Sequence, residues 1–232
     1  MNNSLRMKLH TIVSLGALIT VLLAGAALAL PNFDGNLASD TLPAGIVGTG
    51  YWITTGPSQI EWAVAQLADG TWNYDYNFAV PDGNINHFIL ECSLNMQLSD
   101  LSNVNGDFTS FTIGTFTPPS ASNPNLPGTI HGINFAGVGT TAGGFHFHST
   151  RAPVWGNFYS VDGEAHNPVG TFNTAWDTGF LLPTPPNPPS NGSVSGKLLV
   201  PDSQTAVPDA STIILACFGA LQLLAVRRKV FR

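Results

Sequence analysis

Residues 72–78 read Trp-Asn-Tyr-Asp-Tyr-Asn-Phe, an unbroken alternation of large aromatic and short polar side chains. Successive side chains of a strand point to opposite faces, so this period of two predicts a half-buried antiparallel strand with Trp72, Tyr74, Tyr76 and Phe78 facing a core. From residue 30 to residue 200 helical periodicity is nearly absent. Short runs of β-branched and aromatic residues are instead broken by Gly, Pro, Asn and Asp. That pattern predicts an all-β domain, a single antiparallel β-sandwich of the jelly-roll or Ig-like class. Further strands are expected over 46–54, 61–67, 87–92, 108–116, 129–135, 144–149, 154–161 and 193–200. The turn at 81–84 (Pro-Asp-Gly-Asn) would join 72–78 and 87–92 into a loose hairpin. Residues 137–144 read as a flexible loop, and the proline-rich 183–189 as an exposed extended segment.

Charge and cysteine content narrow the function classes. Between residues 30 and 208 the only cations are Arg151 and Lys197, against thirteen acidic residues, a net charge of −11. Nothing there can neutralise a phosphate backbone, so a nucleic-acid partner is not expected. Cys92 is the one thiol of that stretch, because Cys217 lies in the apolar run near the C-terminus, so no disulfide can form within the domain. In its apolar run Cys92 reads as a small buried hydrophobe.

Both ends carry targeting signatures. Arg6 and Lys8 precede an apolar stretch over 12–23, and Ala27-Leu28-Ala29 offers small residues where a signal peptidase inspects them. Residues 1–29 are therefore expected to form a secretory signal helix cleaved after Ala29, with a retained N-terminal anchor as the alternative. At the other end, a polar motif is followed by an apolar run over 213–226 and by Arg227, Arg228, Lys229 and Arg232. Fourteen helical residues span about 21 Å, short of the ~30 Å hydrocarbon core, so such a transmembrane helix would need snorkelling or local thinning. The basic cluster would stay cytoplasmic, leaving the domain outside. The expected organisation is a signal peptide over 1–29, the exported β domain over 30–200, a linker over 201–206 and a tail over 207–232.

The tail resembles the PEP-CTERM sorting signal of exopolysaccharide-producing Gram-negative bacteria. The motif stands here as Val207-Pro208-Asp209-Ala210-Ser211-Thr212, similar to the Val-Pro-Asp variant, with Asp209 in place of the usual glutamate and Ala210 in place of the second proline. The stretches 144–163 and 72–91 are also similar to segments recurring in PEP-CTERM exported proteins. The resemblance implies a β-sandwich of unassigned activity that is anchored in the inner membrane, processed by an exosortase-type membrane protease, and passed to the cell envelope or extracellular matrix. An ordinary single-span anchor without processing is the alternative.

The residues that could carry chemistry are few. His146 and His148 share one strand face and begin a metal site, but a third ligand would have to come from His131, Asp162, Glu164 or His166; the bland reading is two exposed strand histidines. Arg151 beside Trp155 reads either as a structural ion pair or as a pair of candidate glycan contacts. Asp82-Gly83-Asn84 and Asp162-Gly163-Glu164 read as turns before calcium loops. Glu61, Glu91 and Asp75 are the carboxylates from which a glycosidase pair would be drawn. No nucleophile elbow, phosphate loop or zinc spacing occurs, and no cofactor is expected. The expected function is a noncatalytic exported surface or matrix protein. A polysaccharide-binding module using Trp52, Trp62, Trp72, Trp155 or Trp176 as sugar platforms is the second reading, and a glycan-active hydrolase the third.

Overall fold

The structure, a computed structural model, describes residues 29–40, 45–166 and 171–201, without the side chains of 164–166 and 171. Residues 1–28 of the signal segment, the sorting motif, the apolar run and the basic cluster lie outside the described residues. Among the described residues no helix is long and apolar enough to cross a membrane.

The described elements are, in chain order, β1 (Asn32–Ala38), β2 (Ile46–Gly48), α1 (Tyr51–Thr54), β3 (Gln59–Gln66), β4 (Trp72–Ala79), β5 (His87–Glu91), β6 (Leu101–Gly106), β7 (Ser110–Phe116), β8 (Ile130–Ala136), β9 (Ala142–Ser149), β10 (Pro153–Gly156), β11 (Phe158–His166), β12 (Thr171–Asp177) and β13 (Leu198–Pro201). One sheet runs β1-β3-β4-β9-β6, a second β2-β12-β11-β5-β8-β7, and β10 pairs with β13 apart from both. Every pairing is antiparallel and neither large sheet closes into a barrel.

The aromatic alternation of β4 does what its period requires. Tyr74, Tyr76 and Phe78 are buried, while Asn73, Asp75 and Asn77 take the outer face. Phe145 and Phe147 of β9 join them, and from the second sheet come Phe88, Phe135 and Phe158. The ring centroids of Phe88 and Phe145 lie 4.6 Å apart, so the two sheets face each other across one aromatic core. Buried tyrosines satisfy their hydroxyls on backbone: Tyr76 donates to Leu199 O at 2.7 Å and Tyr74 to Arg151 O at 2.8 Å.

Several expectations need correction. The 72–78 and 87–92 strands do not form a hairpin: β4 pairs with β3 and β9, β5 with β8 and β11. Both carry core aromatics, and Phe78 meets Phe88 at 5.8 Å across the core, so the connection must arch from one sheet to the other. The strand expected over 46–54 stops at Gly48. Gly50 has φ of +63°, Asn173 Oδ1 accepts the Tyr51 N–H at 2.7 Å, and one helical turn then buries Trp52. The strand expected over 154–161 breaks at Asn157 and serves two sheets. Over 193–200, Ser195 (φ 55°) and Gly196 (φ 72°) form a tight turn bridging Val194 to Lys197, leaving only Leu198–Pro201 as strand. Strands β1, β6 and β12 were not expected: Gly and Asn interrupt β1 and β6, and β12 (Thr-Phe-Asn-Thr-Ala-Trp-Asp) buries Asn173 and Thr174 beside Ala175.

Candidate functional site

The expected surface histidines lie where strand alternation puts them, on the outer face of β9 with Phe145 and Phe147 buried between. His146 Nδ1 is 2.5 Å from Asp75 Oδ1, its register partner on β4. On the other side a bulge in β6 carries Asn103, whose φ of 49° turns it over the pair; its Nδ2 is 3.0 Å from His146 Nε2 and 3.4 Å from His148 Nε2. The histidines are thus engaged with neighbouring side chains. His131 and Asp162 belong to the opposite sheet, and no group of three His, Cys, Asp or Glu suited to a metal occurs among the described residues.

Arg151 Nη2 donates to Asp100 Oδ2 at 2.8 Å, with both side chains largely covered. Burial works against the Asp100 charge, but Arg151 and the Gln97 N–H together hold its carboxyl below the usual value. The ion-pair reading of Arg151 fits this geometry. Trp155 is only 2% exposed and its Nε1 donates to Asn187 O at 3.0 Å, so it offers no open ring face to a sugar. Trp52, Trp62 and Trp72 are buried as well, and Trp176 is half-buried. Asp82 Oδ1 accepts the Gly83 N–H at 2.8 Å in a tight turn, and Gly83 has φ of +74°. Glu61 and Asp75 are diagonal neighbours on the outer face of the first sheet, whereas Glu91 ends β5 in the second and does not join them.

Glu91 belongs to a different group. At the break between β10 and β11, the Asn157 N–H donates to Glu91 Oε2 at 2.7 Å, and Asn157 Nδ2 makes a short contact with the same oxygen. Asn157 Oδ1 accepts from Lys197 Nζ at 2.6 Å. Asp177, at the end of β12, takes the Phe158 N–H on Oδ1 at 2.8 Å, while its buried Oδ2 has no hydrogen-bond partner. Lys197 is 1% exposed and Asp177 fully buried. Two glycines make this crowding feasible. A Cβ on Gly179 would lie 2.6 Å from Lys197 Cγ, and one on Gly156 would lie 2.3 Å from Val200 Cγ2 and 3.2 Å from Glu91 Oε2.

Electrostatics follow from that burial. Desolvation pushes the Asp177 carboxyl up to about 8, the backbone bond from Phe158 and the Lys197 charge opposing it. Burial likewise raises Glu91 and lowers the Lys197 ammonium, against its attraction to Asp177 and Glu91. A group of this kind favours neutral forms: an amine, an amide and protonated carboxyls. Beside it opens a cleft of about 780 Å³ whose lining includes Glu91, Cys92, Thr115, His131 and Trp155. Cys92 is buried there, and desolvation pushes its thiol up to about 12, as expected of a packed and inert cysteine. His131 Nδ1 pairs with Thr115 Oγ1 at 2.8 Å.

Sequence reasoning singled out Glu91 and noticed Lys197 as one of two domain cations, but missed Asn157 and Asp177. The available signal was a lysine in an apolar terminal strand of a domain with almost no positive charge, since such a lysine must find acidic and amide partners inside. Comparison with protein-family models, curated proteins and solved structures finds no match for this chain.

Proposed function

We propose that this chain is an exported, noncatalytic surface or extracellular-matrix protein, sorted through a PEP-CTERM-like tail by an exosortase-type membrane protease. The observation that carries the reading is the order of three features: Val207-Pro208-Asp209, an apolar run over 213–226, and Arg227-Arg228-Lys229. Pro208 has no amide donor and disfavours helix in the residue before it, so Val207 and Pro208 would stay extended at the outer membrane surface for a protease to grip. Asp209, Ser211 and Thr212 suit the N-terminal end of the anchor helix, where unpaired N–H groups and the positive dipole end favour oxygens. The basic cluster would hold the other end in the cytoplasm.

The domain before the tail is read as a β-sandwich of the jelly-roll or Ig-like class. Four buried tryptophans weigh against sugar platforms, and the presence of a single carboxylate, Glu91, in the lining of the cleft weighs against a glycosidase pair there. The test is expression of the full chain, internally tagged, in a host that makes exopolysaccharide and carries an exosortase. Wild type should lose its tail and leave the membrane fraction, and Pro208→Leu should insert but remain unprocessed. A wild-type protein that persists in the membrane with Arg232 attached, or equal release of Pro208→Leu, defeats the reading.

A further inference from the structure

We infer that the Lys197 amine and the Asn157 side-chain amide are built to join in an intramolecular isopeptide bond, with Glu91 as the proton carrier. Four strand ends bring the parts together: Glu91 closes β5, Asn157 separates β10 from β11, Asp177 closes β12 and Lys197 precedes β13. Nζ already sits 2.6 Å from Asn157 Oδ1, so the amine lies against the amide whose Cγ it would attack, and Glu91 Oε2 touches the Nδ2 that would leave. Lys197, Asn157 and Asp177 are 1%, 7% and 0% exposed, which keeps bulk water from the reacting atoms. Gly179 lets the turn that carries Lys197 pack close, since a Cβ there would lie 2.5 Å from Ser195 O and 2.6 Å from Lys197 Cγ.

The step balances without metal, oxidant or cofactor. Lys197, having given one proton to a facing carboxylate, attacks as the neutral amine, and Nζ forms a bond to Cγ of Asn157. The Cγ–Nδ2 bond breaks, and one proton from the attacking nitrogen is passed through Glu91 to Nδ2, which departs as ammonia. Glu91 returns to its starting state and the products are a secondary amide and one ammonia. Burial favours the neutral amine and a protonated carboxyl, the forms this transfer requires. Glu91 also lines the open cleft, which gives ammonia a way out. Asp177, fully buried beside the amine, has one carboxyl oxygen uncommitted to any hydrogen bond and can take the first proton from Lys197.

The link would tie β13 to the β10–β11 junction, forty positions away in sequence, in a domain whose single thiol excludes a disulfide. It stands independently of how the tail is processed. The test is peptide mapping of the folded, full-length protein after denaturation. Between residues 30 and 206 trypsin can cut only after Arg151 and Lys197, and Asn157 and Lys197 fall between those cuts. The bond would abolish cleavage after Lys197 and give a peptide holding both residues, lighter than its sequence by one ammonia. Glu91→Gln, which keeps the side-chain size, should restore both the cut and the full mass. Complete cleavage after Lys197 in the folded wild type overturns the proposal. Loss of one water overturns the Asn157 assignment, and a linked Glu91→Gln protein removes Glu91 from the step.

Discussion

The outer face of the first sheet and the strand ends around Asn157 hold similar polar chemistry under opposite conditions. On the face, Asp75, His146, Asn103 and His148 hydrogen-bond within reach of water, and Asp75 keeps about half its side chain exposed. At the strand ends, Glu91, Asn157, Asp177 and Lys197 meet with solvent largely gone, and their acids and base are driven towards neutral forms. Contact distances are alike in both places, so distance does not separate them. Burial does: an ion pair is screened at the surface, whereas inside each unpaired charge carries a full desolvation cost.

The contrast is broken most easily from the buried side. Lys197→Met abolishes the link to Asn157 and leaves Asn157 Oδ1 buried without its donor, and should lower stability by about 3 to 5 kcal/mol, read from urea unfolding. A loss no greater than that of a surface variant would mean that the buried group does not depend on its lysine.

The next effect is one of pH. The Asp177 carboxyl is raised from 3.8 to about 8 in the folded chain, so the native state holds that proton more tightly than the unfolded state does. Its contribution is therefore full below about pH 4 and is lost as pH rises towards 8. Urea midpoints should fall across that window in wild type and fall less in Asp177→Asn; equal slopes would show that Asp177 is not the titrating group. If Lys197 is amidated it does not titrate, and no opposing slope arises from it. The smallest effect belongs to the surface. Asp75→Ala should change stability by less than about 1 kcal/mol, weaker still at high salt, and a larger loss would erase the distinction between the two groups.

How much was legible in the sequence follows the same division. The aromatic alternation of β4 and the His-Phe-His-Ser pattern of β9 give their faces directly, because a strand needs only its own period to sort its side chains. The arch between Phe78 and Phe88 was not legible, since the turn residues at 81–84 fit a hairpin as well as a crossing between sheets, and only the shared core decides. Nor was the strand break at Asn157 visible in the run Val-Trp-Gly-Asn-Phe-Tyr: it exists because Glu91, from a strand distant in sequence, takes the Asn157 N–H. Asn157 and Asp177 read alone as ordinary strand-end polar residues. Their role comes from the order β12-β11-β5 and from Lys197 entering beside β10, which no local pattern encodes.

The central claim is that the buried group is reactive while the surface group is a solvated cluster. Nitrogen-15 labelling of lysine side chains tests it most directly, because Lys197 is the only lysine between residues 30 and 206. In the folded protein its Nζ should appear as a secondary amide bearing a single proton, shielded from solvent exchange and absent from Glu91→Gln. An Nζ of Lys197 that instead appears as a free amine or ammonium in the folded wild type would contradict the account.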